Sequence, residues 1–114
     1  MTRRGDGEAQ FSAGGETYRL KFDFNALADY ESIAGAAVWG ALDRFAEGEA
    51  SAEDMRAMLW ACLQEHHTGI TLREAGRLMS EGQEALSQAM DTALAAPSAE
   101  EESGEPQAAT SPAA

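Results

Sequence analysis

Three residues near position 65 are the side chains best suited to metal binding or nucleophilic chemistry. Cys62 and His66 are four residues apart, so a helix would place them on one face, and His67 follows directly. Zinc usually takes three or four protein ligands, and the sequence contains one Cys and two His. Carboxylates would have to complete such a site. The alternative is that both His residues interact with the negative end of a helix dipole. We therefore predict no metal site and no cofactor.

Nucleophilic catalysis by Cys62 is not indicated either. The thiol falls on an apolar stripe with Met58, Leu59 and Leu63, where a small buried hydrophobe is expected rather than an activated thiolate. The sequence also contains no Gly-rich phosphate loop after a strand, no Asp-x-Asp calcium loop and no G-x-S-x-G motif. We expect the protein not to be an enzyme.

Composition and charge restrict the kinds of partner. Of 114 residues, 8 are Lys or Arg and 20 are Asp or Glu, which gives a formal net charge of −12. Nucleic acid binding depends on clustered cations, and the same charge disfavours anionic membranes, so we expect neither partner. The sequence shows no signal peptide and no apolar run long enough to cross a bilayer, and one Cys suits a reducing compartment. These features predict a cytoplasmic protein.

A hairpin and a series of helices must position these residues. Alternating residues predict strands over 8–12 and 16–23, joined by Gly14 and Gly15, which supply the positive φ angles of a tight turn. In "YRLKFDF", Tyr18, Leu20, Phe22 and Phe24 share one side of the extended chain, and the first three are expected to face the core. Apolar spacing and terminators then predict helices over 25–35, 36–48, 51–69, 71–82 and 83–96.

Capping residues support these helix boundaries. Ser51 with Asp54, and Thr71 with Glu74, have the spacing of capping boxes. Asp23 or Asn25 is expected to cap the first helix, Gly35 and Gly48 to end the first two helices, and Ser80-Glu81-Gly82 to break the chain between the last two. The predicted helical stripes are Leu27/Tyr30/Ile33–Ala34, Val38/Leu42/Phe45, Met55/Met58–Leu59/Cys62–Leu63, Leu72/Ala75/Leu78–Met79 and Leu86/Ala89–Met90/Ala93–Leu94.

The predicted fold is α+β and mainly helical, with an N-terminal β-hairpin packed on four or five short α-helices and a disordered C-terminal tail. We assign residues 1–7 to a flexible N-terminus, 8–95 to the hairpin and helical domain, and 96–114 to a disordered acidic Ala/Pro/Glu tail without Leu, Ile, Val or aromatic residues. Leu, Ile, Val and Phe together account for only 16 of 114 residues. Such a thin core suggests that self-association or a partner completes the stability.

Met and Trp side chains are the candidates for partner binding. Trp39 and Trp60 either widen the core stripes of their helices or line an apolar groove for a partner helix, since Trp is favoured at interface centres and Met adapts to irregular partners. The candidate residues are Met55, Met58, Leu59, Trp60, Trp39 and Met79.

The order of motifs resembles a known family over about residues 8–95. After the Gly-Gly hairpin come "YRLKFDFNALADYESIAG", "RFAEG", "LWACLQEHH", "TLREAGRLM" and the acidic tail. Together these motifs resemble the tail assembly chaperone family of the gene-transfer-agent type, which is found in gene transfer agents and related tailed phages and has also carried a tail-tube label. The shared pattern is specific as an ensemble, and weak in any single motif.

The resemblance implies a non-enzymatic protein that coats the long helical tape measure protein, keeps it soluble and assists polymerisation of the tail tube. The implied partners are the tape measure protein and the tail tube protein, and a homo-oligomer is compatible with the thin core. Two alternatives stay open: a structural tail-tube or connector component of the particle, and an acidic regulator that mimics DNA. Tail-tube subunits build rings from many strands, whereas one hairpin is predicted here, so we favour the chaperone.

Overall fold

The computed structural model describes residues 7–94 as one hairpin followed by four helices. The elements are β1 (Glu8–Ala13), β2 (Glu16–Lys21), α1 (Phe24–Ala34), α2 (Val38–Ala46), α3 (Ala52–Leu63) and α4 (Leu72–Leu94). The predicted α+β, mainly helical fold with an N-terminal hairpin is confirmed. The predicted flexible N-terminus, apart from Gly7, and the predicted acidic tail lie outside the described residues.

The hairpin forms because two adjacent glycines accept the backbone of a tight turn. Gly14 and Gly15 have φ angles of 59° and 82°, and the two antiparallel strands pair Phe11 with Tyr18 across the sheet. Those two rings stack with centroids 5.3 Å apart. One apolar face of the hairpin therefore lies against the helices, as the alternating residues predicted.

The alternation of the second strand stops before Phe24, a residue that would share one side of an extended chain with Leu20 and Phe22. Leu20 and Phe22 are buried, but Phe24 begins α1 and is 77% exposed. The cause is Asp23, whose side-chain oxygen accepts a hydrogen bond from the backbone N–H of Ala26 at 3.0 Å and so starts the helix. Of the two caps considered, Asp23 is the one used. Gly35, with φ of 74°, ends the helix as predicted.

Helix α3 forms the centre of the core. Its predicted capping box is present, with reciprocal hydrogen bonds between Ser51 and Asp54. Four side chains of its apolar stripe are fully buried: Met58, Leu59, Cys62 and Leu63. Because α1, α4 and β2 all pack against α3, the stripe that periodicity identified is covered on several sides within this domain.

Helix α4 runs without interruption through the predicted break. Its N-terminal capping box, Thr71 with Glu74, is present. The helix then continues for 23 residues, so the prediction of two separate helices here was wrong. Gly82 is buried inside it, and a Cβ atom at this position would lie 3.0 Å from two atoms of the Phe11 ring. This glycine lets the hairpin approach the helix closely rather than ending the helix.

Replacing Gly82 tests this explanation. Gly82→Ala would gain about 1 kcal/mol of helix propensity but force the buried Phe11 ring to move, an overpacking cost of about 1–3 kcal/mol. We expect a net loss of about 1 kcal/mol in the free energy of unfolding, measured by urea denaturation.

Gly76→Ala is the matched control in the same helix. Its new Cβ would lie 3.1 Å from Cδ of Arg56, and that long flexible side chain can move aside. We expect it to be neutral or to stabilise the protein by up to about 1 kcal/mol. In a Phe11→Ala background the cost of Gly82→Ala should disappear. Equal effects of the two alanine substitutions in the wild-type background would contradict the account.

Candidate partner-binding surface

The residues suited to metal or nucleophilic chemistry are separated in the structure. Cys62 is fully buried, and burial raises the pKa of its thiol. His66 is exposed, while the Nε2 atom of His67 accepts a hydrogen bond from the backbone N–H of Arg19 at 3.0 Å. Burial and the neighbouring His66 lower the pKa of His67, which suits a neutral acceptor. Within residues 7–94, no group of three His, Cys, Asp or Glu side chains is placed to hold a metal ion.

Most of the residues predicted to bind a partner belong to the folded core instead. Met58 and Leu59 are 0% exposed, so neither side chain reaches the surface of the folded domain. Trp60 packs against the core, and its indole N–H donates to the carbonyl of Ile70 at 3.0 Å. Met79 also packs against the core, and Met55 is half-buried. The periodicity identified an apolar face, and the rest of the domain covers that face.

Trp39 alone of the six predicted residues presents a largely exposed apolar side chain, with 60% of its surface accessible. It lies near the start of α2, one turn before Leu42 and two turns before Ala46 on the same side of that helix. The structure therefore separates Trp39 from the α3 residues with which the sequence grouped it. It places Trp39 beside apolar residues that had been predicted only as core.

An open apolar groove with a volume of about 390 Å³ lies between α2 and the C-terminal end of α4. We call it the α2–α4 groove. Its lining residues are Leu42, Phe45, Ala46, Ser87, Met90, Asp91 and Leu94. Leu94 is 57% exposed, so the groove ends in an apolar side chain open to solvent. The apolar stripes predicted for the second and the last helix contain several of these lining residues. Spacing alone, however, does not show that two stripes leave a gap between them.

A buried carboxylate fixes α2, one wall of the groove. Both oxygens of Asp54 are bound by Arg44 of α2, at 2.7 Å from Nε and 2.8 Å from the terminal nitrogen. Asp54 also accepts from the Tyr30 hydroxyl of α1 and from the backbone N–H of Ser51, each at 3.0 Å. A second polar contact joins α1 to the start of α2, because Glu31 accepts from the backbone N–H of Val38 at 2.8 Å.

The electrostatics of this network follow from its geometry. Arg44, with the hydrogen bonds from Ser51 and Tyr30, holds the pKa of the Asp54 carboxyl well below its usual range, although burial acts in the opposite direction. The hydrogen-bonded ion pair with Asp54 raises the pKa of the Arg44 guanidinium. Burial, and then the hydrogen bond to Asp54, raises the pKa of Tyr30. Asp54 therefore stays ionised, and Tyr30 stays protonated, across the ordinary pH range.

Fold and groove together define a small acidic domain with an N-terminal hairpin and an open apolar groove between two helices. A family model described as "Phage tail tube protein, GTA-gp10" matches residues 6–98. Because the match covers most of the chain, the chain belongs to this family of phage and gene-transfer-agent tail proteins. Neither a curated protein nor a solved structure matches the chain. Within residues 7–94, no helix combines the length and apolar character needed to cross a bilayer.

Removing the Asp54 charge tests how α2 is held. Asp54→Asn replaces an acceptor that takes four hydrogen bonds, so we expect a loss of about 2 kcal/mol in the free energy of unfolding at neutral pH. Asp43→Asn removes an exposed carboxylate from α2 itself and should change this value by less than about 0.5 kcal/mol. Equal effects of the two substitutions would contradict a special role for Asp54.

The network also predicts a dependence on pH. The pKa of Asp54 is lower in the folded state than its ordinary unfolded value of about 3.9, so its stabilisation is complete above that value and is lost as pH falls below it. Between about pH 5 and pH 2, the free energy of unfolding should fall more steeply for the wild type than for Asp54→Asn. Denaturation measured at each pH gives the free energy of unfolding of both proteins. If the two free energies fall in parallel with pH, Asp54 does not cause this pH dependence.

Proposed function

We propose that the protein is a tail assembly chaperone that binds the tape measure protein and assists assembly of the tail tube. The observation that carries this proposal is the open apolar groove on an acidic, mainly helical member of a tail protein family. A long helical partner exposes apolar stripes until the tube encloses it. A small acidic protein that covers those stripes keeps the partner soluble, and it needs no catalytic residue to do so.

The fold supports a chaperone more than a tube subunit. Residues 7–94 contain one two-stranded sheet, and its apolar face packs on α3 and α4. A ring of the kind implied for tail-tube subunits needs many strands from each copy, whereas most of the described chain is helical. Helical surfaces suit contact with a helical partner, which docks its apolar side chains into a groove. Action in the cytoplasm, before the particle is complete, belongs to the same proposal, with the tail tube protein as a second partner.

Co-expression tests the proposal directly. The full chain should keep the tape measure protein of the same gene cluster soluble and co-purify with it. An unrelated long coiled-coil protein, co-expressed as a control, should gain no solubility. If the tape measure protein stays equally insoluble with and without this chain, or never co-purifies, the proposed function is wrong.

A structural role in the finished tail is the second candidate, because the family description names the tail tube. Quantitative mass spectrometry of purified particles separates the two. A chaperone should be absent from particles or present far below the amount of the tube subunit. A stoichiometric amount would instead identify a tube or connector component.

A further inference from the structure

The α2–α4 groove has the dimensions of a helix-binding site. One wall is formed by Leu42, Phe45 and Ala46 of α2, and the other is the stripe of Ser87, Met90, Asp91 and Leu94 on α4. The α4 wall spans seven residue steps, about 10 Å of helix or two turns, and the α2 wall spans four steps, about 6 Å. Side chains of two helices that leave a gap between them accept the side chains of a third helix. The groove is therefore long enough for one to two turns of a partner helix.

The groove stays open because α2 is held from its opposite edge. Arg44 projects from that edge to Asp54 of α3, and the N-terminus of α2 is fixed to α1 through Glu31. Val38 and Ala41 are buried, so the inner face of α2 already packs against the core. These contacts hold α2 toward α1 and α3, and they leave its Trp39 side without a covering element among residues 7–94.

Charge around the groove selects the chemistry of the partner. Asp91 lines it, and Asp43 and Glu84 lie within one helical turn of lining residues on the two walls. No Lys, Arg or His lines the groove, and α4 contains none after Arg77. The nearby Arg44 lies on the opposite edge of α2 and is paired with Asp54. An occupant with Lys or Arg beside its apolar stripe is therefore attracted, and an acidic one is repelled.

We propose that the α2–α4 groove binds an amphipathic helix whose apolar stripe is flanked by Lys or Arg. Residues 95–114 of this chain are poor occupants, since they contain four Glu, no Lys or Arg, and no Leu, Ile, Val, Met or aromatic residue. A second copy carries the same net charge of −12 and is repelled. The proposal rests on the proposed function only in taking this helix to be part of the tape measure protein.

Binding of designed peptides to the full chain tests the proposal without the natural partner. The probes are three fluorescent peptides of about 20 residues. The first is an amphipathic helix with a Leu stripe flanked by Lys, the second has Glu in place of Lys, and the third is a scrambled form of the first. By fluorescence anisotropy, the Lys peptide should bind at least about tenfold more tightly than either of the others, and its binding should weaken with added salt.

Two substitutions locate the binding. Leu94→Lys places a positive charge in the groove at an exposed helix end. It removes an apolar contact and repels the Lys peptide, so binding of that peptide should weaken by about tenfold or more. Phe24→Lys adds the same charge at another exposed apolar residue, outside the groove lining, and should change the affinity by less than about twofold. Ala46→Lys, at an exposed lining residue of α2, gives a second groove variant on the other wall. Circular dichroism checks that all three variants fold.

Several results would overturn the proposal. They are equal binding of the scrambled peptide, equal effects of Leu94→Lys and Phe24→Lys, or sedimentation showing that wild type forms a dimer that Leu94→Lys abolishes. Co-expression separates this failure from failure of the proposed function. If the wild type and Leu94→Lys solubilise the tape measure protein equally well, the groove assignment is wrong and the chaperone stands. If the wild type does not solubilise it, the chaperone is wrong whatever the peptides do.

Discussion

The Asp54 carboxylate is the interaction on which the arrangement of the helices depends. It belongs to the capping box of α3 and also accepts hydrogen bonds from Tyr30 of α1 and Arg44 of α2. An isolated nine-residue helix such as α2 is unstable in water, so its position must come from tertiary contacts. One ionised group, almost fully buried and bound by four donors, supplies much of that positioning. The groove exists because this contact lies on one edge of α2 and leaves the other edge free.

Alanine explains how a chain with few large apolar residues still forms a core. The buried side chains include seven Ala, among them Ala57 and Ala61 of α3 and Ala75, Ala85 and Ala89 of α4. Small side chains bring helix axes close together, and Gly82 does the same where the Phe11 ring meets α4. Counting only Leu, Ile, Val and Phe therefore underestimates the core. Leu42, Phe45 and Leu94 remain partly open at the α2–α4 groove, while Phe24, Ile33 and Trp39 are exposed outside its lining.

Local signals in the sequence predicted most of the elements, because their causes are local. Gly14-Gly15 specifies the turn, and the capping boxes of Ser51 and Thr71 start α3 and α4. The break predicted at Gly82 was wrong because the reason for that glycine is the ring of Phe11, more than seventy residues earlier in the chain. The periodicity that makes Met58 and Leu59 candidates for partner binding describes two side chains that are fully buried in the fold. Periodicity identifies an apolar face, but only the fold shows what covers it.

The central claim is that a helical partner occupies the α2–α4 groove, and hydrogen exchange on the co-purified complex tests it most directly. Backbone amides of 39–46 and 87–94 should exchange more slowly in the complex than in the free chain, while the exposed edges of β1 and β2 should not change. Protection confined to the hairpin would show that the partner adds a strand to the sheet, and would contradict the account.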